Sequence, residues 1–250
     1  LFPIAMFLKN NIQKISPVRC TTLRRQRVDY SGFRLSRVKE PRFRHVLLFG
    51  TWIIYFILFL LTENLIPPER CHIMHCAVDD MIPFNEYFLI FYTGWYLLVA
   101  GSLAYYFLYD VQRFKELDLY IFVTQVVAMA IYILFPSRQD LRPAVFPREN
   151  FFTWVMGLIY TLDTDTGVCP SLHVAYSLAI FNVIIKDKDV HKWVKWFVGI
   201  FAACVCASTM FVKQHSFLDF LAALPVVLLG ECIIYGKSYW LPRFKKQKVS

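Results

Sequence analysis

Polar and apolar residues alternate along this chain in long blocks. Six apolar stretches, at about residues 45–61, 87–109, 119–135, 173–185, 193–212 and 216–235, are separated by polar or charged segments. About 20 apolar residues in a helix cross a bilayer, so each stretch is read as one span. The fourth is short by that measure, and the third starts after a charged turn at residues 110–118. A seventh apolar run, at 151–160, has about half the needed length. With Asn150 placed to cap it, it reads as an interfacial or re-entrant helix in the loop between the third and fourth spans. The expected fold is all-α: a polytopic membrane protein built as a six-transmembrane-helix bundle. Residues 44–236 form the membrane domain, 1–43 a basic tail and 237–250 a second basic tail. The apolar start at Leu1–Leu8 lacks the preceding positive region of a secretion signal. The first tail is expected to be flexible or surface-lying and to end at Pro41.

Composition supports the membrane reading. Of 250 residues, 57% are hydrophobic and 18% charged, against about a quarter charged in an ordinary soluble domain. The net charge of +9 resides in the first 44 residues, where eleven Lys and Arg face only Asp29 and Glu40, and the remaining chain is balanced. A basic segment beside a span marks the cytoplasmic side or touches anionic lipid, so the charge does not call for nucleic acid. Both tails and the turn at 186–195 are basic, whereas the loop after the first span carries Glu63, Glu69, Asp79, Asp80 and Glu86 against Arg70. Both termini are therefore expected in the cytoplasm of a multi-pass cell-membrane protein. The seven cysteines are odd in number and scattered, which is no disulfide framework.

The chemistry gathers at one face. Residues 170–173 and 213–219 are separated by two crossings and return to the same surface, with the loop at 138–143 just before them. That surface is extracytoplasmic if the termini are inside. His215 and Asp219 are four apart at the start of a helix, which stacks them on one face. The carboxylate can take one imidazole proton and leave the other nitrogen as nucleophile or base; a pair that only ties helices together is the alternative. In Pro170-Ser171-Leu172-His173, a loop enters a helix whose first-turn N–H groups favour a phosphate. Ser171 adds a donor there and His173 an acid, although the same tetrapeptide also suits a plain capped helix start. Arg142, Lys213 and Arg138 can bind phosphate oxygens or anchor at the headgroups. Cys71, His72, His75 and Cys76 are zinc-type residues, but they come as adjacent pairs two residues apart, which is awkward for one tetrahedral ion. A Cys71–Cys76 disulfide or plain loop residues fit the same pattern. No metal or other cofactor is expected.

These residues carry a resemblance. Arg142-Pro143, Pro170-Ser171-x-His173 and His215-x-x-x-Asp219 resemble the three-part signature of the type 2 phosphatidic acid phosphatase superfamily over about residues 45–236. The run from Ser208-Thr209 to Lys213-Gln214-His215 is similar to the branch with inositol-phosphoceramide synthase, sphingomyelin synthase and inositolphosphotransferase-like relatives. The resemblance implies a six-helix, metal-independent enzyme that forms a phosphohistidine and passes the group to water or another alcohol. By position, His215 would be the nucleophile, Asp219 its orienter, His173 the general acid, and Arg142 and Ser171 phosphate ligands. The chain departs from the pattern at Phe135, Leu172 and Thr209, where a Lys, a Gly and an Arg are usual. Arg138 and Lys213 stand where they could replace the missing cations.

The expected function is thus a membrane lipid phosphatase or phosphotransferase acting on a lipid phosphoester at the outer leaflet. A non-catalytic protein that binds or moves anionic lipid with the same cations is the alternative. An intramembrane protease lacks a paired serine or a metal motif within the spans.

Overall fold

The computed structural model describes residue 25 and residues 27–247, and they are overwhelmingly helical. Helix α1 (Phe49–Leu65) continues a 3-10 turn at Arg44–Leu48. The loop after α1 holds a two-residue strand β1 (His72–Ile73) and helix α2 (Ala77–Met81). Helices α3 (Leu89–Tyr109) and α4 (Val111–Leu134) follow, then strand β2 (Ser137–Arg138) and helix α5 (Phe151–Leu162). Helices α6 (Leu172–Lys186), α7 (Lys192–Phe211) and α8 (Phe217–Tyr235) complete the bundle. After a π turn at Gly236–Trp240, a last helix α9 (Leu241–Gln247) extends into the second basic segment.

Among the described residues, five helices are long and apolar enough to cross a membrane. The expected fourth span, α6, has only fifteen residues. Ten of them are buried, so α6 is walled by α3, α4, α7 and α8 rather than by lipid. A helix surrounded by protein escapes the length rule that lipid contact imposes. The centre of the bundle is α4, with 67% of its apolar window buried, whereas α1 has 11% buried and is peripheral.

The third span begins earlier than the sequence pattern suggests. Residues 110–118, read as a charged turn, are the first two turns of α4 except for Asp110, which ends α3 and caps α4 by accepting from Arg113 N (3.0 Å). Periodic hydrophobicity is masked there by charges that neutralise one another. Arg113 donates to Glu116 at 2.6 Å, and Trp52 of α1 donates to Asp118 at 2.8 Å. Close packing sets the rest of the core: at Gly230 of α8 a Cβ would stand 2.4 Å from the Tyr120 ring of α4. That approach lets the Tyr120 hydroxyl donate to Val227 O at 2.8 Å.

Most of the first tail, including Leu1–Leu8, lies outside the described residues. Its described part is tied down. Arg25 pairs with Asp187 (2.7 Å) and Asp110 (2.8 Å), and Val28 N donates to Leu108 O (2.7 Å). At the other end of the bundle, β1 and β2 pair in parallel, His72 with Ser137 and Ile73 with Arg138, which joins the loop after α1 to the long loop at 135–171. Helix α5 starts with the expected cap, Asn150 accepting from Phe152 N and Thr153 N, and runs two residues beyond its expected end.

Candidate active site

Helix α8 owes its start to Ser216-Phe217-Leu218-Asp219, a capping box in which Ser216 Oγ accepts from Leu218 N (3.1 Å) and Asp219 reaches back to Ser216 N (2.9 Å). The same Asp219 Oδ2 faces His215 Nδ1 at 3.2 Å. His215 therefore precedes the helix rather than lying on its face. The pair meets because an acidic third residue of a helix points back past the cap, and the capping bond doubles as the orienting bond. Asp219 is fully buried, and 10% of the His215 side chain is exposed.

The loop that presents His215 is tightly held. Lys213 adopts a left-handed φ of 53°, unusual for a residue with a Cβ. Gln214 N and His215 N both donate to Thr209 O, and Tyr160 of α5 donates to Val212 O at 2.6 Å. The Lys213 ammonium, expected to bind phosphate, donates to the carbonyls of Asp79 (2.8 Å) and Ile82. Burial pulls that ammonium below its ordinary pKa, against Asp79 and Asp80.

Ser171 is the N-cap of α6, which puts His173 in its first turn. Ser171 N donates to Asp219 O at 3.1 Å and so ties the start of α6 to the start of α8. The Ser171 hydroxyl is fully buried and, among the described residues, neither it nor His173 Nε2 has a hydrogen-bond partner. Two aromatic residues of α3 hold the His173 ring: Tyr92 stacks on it at 4.4 Å and Trp95 lies 4.2 Å away. His173 and His215 then meet edge to face, 5.7 Å between centroids at 62°.

Arg142 is engaged in protein contacts. It donates to the carbonyls of Tyr160 (3.0 Å), Asp163 (3.0 Å) and Thr164 (2.8 Å) and to Gln214 Oε1 (2.8 Å), with its guanidinium over the Tyr160 ring. Four of its five donors thus cap the end of α5 and reach the residue before His215, and Nε alone is buried without a partner. Gln214 Nε2 in turn donates to Asp163 Oδ2 at 3.3 Å. Arg138 sits on the short sheet and pairs with Asp165 at 3.7 Å. The structure therefore brings His215, Asp219, His173 and Ser171 together, joins Arg142 to them through Gln214, and turns Lys213 and Arg138 to other partners.

The zinc-type residues are dispersed. His72 stacks on Phe135 at 4.2 Å, His75 lies between Asp80 (2.8 Å) and Asp140 (3.2 Å), and Cys71 and Cys76 are free thiols. Among the described residues no three His, Cys, Asp or Glu converge to hold a metal ion.

Sequence reasoning missed Gln214, Asp163, Tyr92 and Trp95 as parts of this site. Gln214 adjoins His215, and Tyr92 and Trp95 share a helix face by their spacing of three. Nothing in the sequence distinguishes that face from the other aromatics of α3.

Comparison with known proteins adds one partial likeness. The chain is 38% identical over 79 residues to a Dictyostelium discoideum protein described as a PA-phosphatase related-family protein. The match covers 32% of this chain and 13% of that relative's length. No family model and no solved structure matches. The five long apolar helices fit a multi-pass membrane protein.

Proposed function

We propose that this chain is an integral-membrane phosphatase or phosphotransferase of the type 2 phosphatidic acid phosphatase superfamily that cleaves a lipid phosphoester through a phosphohistidine. The observation that carries the reading is the His173–His215 pair at 5.7 Å between ring centroids with Asp219 Oδ2 on Nδ1 of His215. That separation admits one phosphorus at about 3 Å, attack distance, from one ring while the other ring reaches an ester oxygen.

Asp219 fixes the His215 proton on Nδ1, which leaves the Nε2 lone pair to attack phosphorus. The N–P bond forms as the P–O ester bond breaks, and His173 gives its proton to the departing lipid alkoxide. In the second step His173 takes a proton from water or an alcohol, whose oxygen bonds phosphorus as the N–P bond breaks. The Ser171 hydroxyl and the free N–H groups of the first turn of α6 hold the phosphate oxygens. Arg142 adds its free Nε, and its main work is to fix the loop before His215 through Gln214. The basic segments assign both termini to the cytoplasm and the histidines to the outer face.

The test is turnover of phosphatidate by the purified protein and by His215→Ala in the presence of EDTA. Turnover in the first and none in the second is expected; equal turnover refutes the mechanism. Unchanged lipid binding by both proteins, with no phosphoester turned over by either, would select the non-catalytic lipid binder.

A further inference from the structure

We infer that Asp79, in the first outer loop, is a positioning residue for the His215–Asp219 pair. The inference rests on the phosphohistidine reading.

The Asp79 side chain is 2% exposed, and its carboxylate is fully engaged. Oδ2 accepts from Ser216 Oγ (2.6 Å) and from Cys76 N (2.9 Å), and Oδ1 accepts from Phe217 N (2.7 Å). Ser216 and Phe217 are the two residues that directly follow His215. Ser216 is also the residue whose N–H donates to Asp219 Oδ2, the oxygen facing His215 Nδ1. One residue thus bridges two buried carboxylates, one of which orients the imidazole while the other holds the bridge.

A second pin stands on the other side of His215, where the Lys213 ammonium donates to the carbonyls of Asp79 and Ile82. The catalytic loop is therefore gripped before and after the histidine by one short segment more than 130 residues earlier. Capping of α8 does not require this grip. Ser216 and Asp219 already satisfy Leu218 N and Ser216 N between them. Asp79 takes the next free donor, Phe217 N, and fixes the rotor of the Ser216 hydroxyl. Its anionic charge lies at the positive end of α8, where a carboxylate is favoured, and one residue from the imidazole.

The charge has a functional consequence. Removing it weakens the bonds from Ser216 Oγ and Phe217 N that hold the backbone directly after His215. The other groups facing His215 are His173 from α6, Asp163 from the loop after α5, Arg142 through Gln214, and Lys213 in its own loop. All are retained in the variants below.

The experiment compares the protein with Asp79→Asn, Ser216→Ala, Asp80→Asn and His215→Ala, following kcat and KM for phosphatidate separately. Asp79→Asn is expected to lower kcat tenfold or more with KM little changed. Ser216→Ala, which keeps the Asp79–Phe217 bond, is expected to lower kcat the same way by less. Asp80→Asn removes a neighbouring charge that is exposed and paired with His75, and is expected to match the wild type. A wild-type kcat in Asp79→Asn, or a loss as large in Asp80→Asn, overturns the inference. Should Asp79→Asn fail to fold, an unchanged kcat in Ser216→Ala overturns it. An inactive His215→Ala beside a wild-type Asp79→Asn rejects this inference alone, whereas an active His215→Ala rejects the mechanism beneath it.

Discussion

His173 and His215 stand edge to face, 5.7 Å between ring centroids, although 42 positions separate them in the chain. The contact exists because Ser171 N bonds to Asp219 O, which seats the start of α6 against the start of α8. Two helix N-termini therefore converge where an anion would sit, each bringing one imidazole.

A general acid contributes about 10²–10⁴ in rate, and the proposed mechanism gives that part to His173. His173→Ala is expected to lose that much with phosphatidate and far less with an aryl phosphate, whose leaving group needs no proton. Single-turnover rates of the first, phosphohistidine-forming step with both substrates check this, because the second step is the same for either ester, and equal losses on the two would remove His173 from the acid role.

Asp219→Asn keeps the shape of the capping box but offers His215 an amide in place of a carboxylate. The wrong tautomer is then favoured, and turnover is expected to fall by about 10³ or more. Thermal melting should stay close to the wild type, because Ser216 Oγ still caps α8. A large drop in melting point with little loss of rate per folded molecule would reverse that assignment.

Arg142 is expected to act on stability as well as rate. A hydrogen bond to a charged group is worth about 1.5–3 kcal/mol, and Arg142 makes four. Arg142→Ala should cost ~3 kcal/mol or more, roughly 6 °C in a domain of this size. Arg142→Lys should rescue little, since one ammonium cannot span three carbonyls and an amide. Calorimetry or fluorescence melting of the three proteins decides it.

Asp79 predicts a pH dependence of stability. Burial would raise its carboxyl pKa, but the bonds from Ser216, Phe217 and Cys76 outweigh that and hold it below the usual 3.8. A depressed folded pKa adds stability that is fully present above the unfolded value and is lost as pH falls through the folded one. The melting gap between wild type and Asp79→Asn should therefore be widest near neutral pH and close progressively below pH 3.8. A gap independent of pH would show that the charge contributes nothing.

Hydropathy alone located the bundle: the expected spans at 87–109, 193–212 and 216–235 agree with α3, α7 and α8 to within a residue or two. It failed at the start of α4, where Arg113, Glu116 and Asp118 read as solvent-facing but find partners inside the bundle, Arg113 and Glu116 in each other and Asp118 in the Trp52 indole. It could not justify the fifteen residues of α6, because burial by neighbouring helices leaves no trace in one segment's length. The histidines and Asp219 were legible because their chemistry is local to two short motifs. Asp79 was not. In sequence it is one acid in an acidic loop, useful for assigning sidedness, and its partners are 137 and 138 residues away. Lys213 and Arg142 were legible as cations, but which oxygens they face is settled by the loop carbonyls that the fold places beside them.

The most direct test of the mechanism is to trap the intermediate. The purified protein is mixed with a phosphoester labelled in its phosphate, quenched in alkali within a turnover, digested and sequenced by mass spectrometry. The account predicts label on His215, absent from His215→Ala and longer-lived in His173→Ala, whose second step lacks its base. Label on another residue, or turnover by His215→Ala at the wild-type rate, would contradict it.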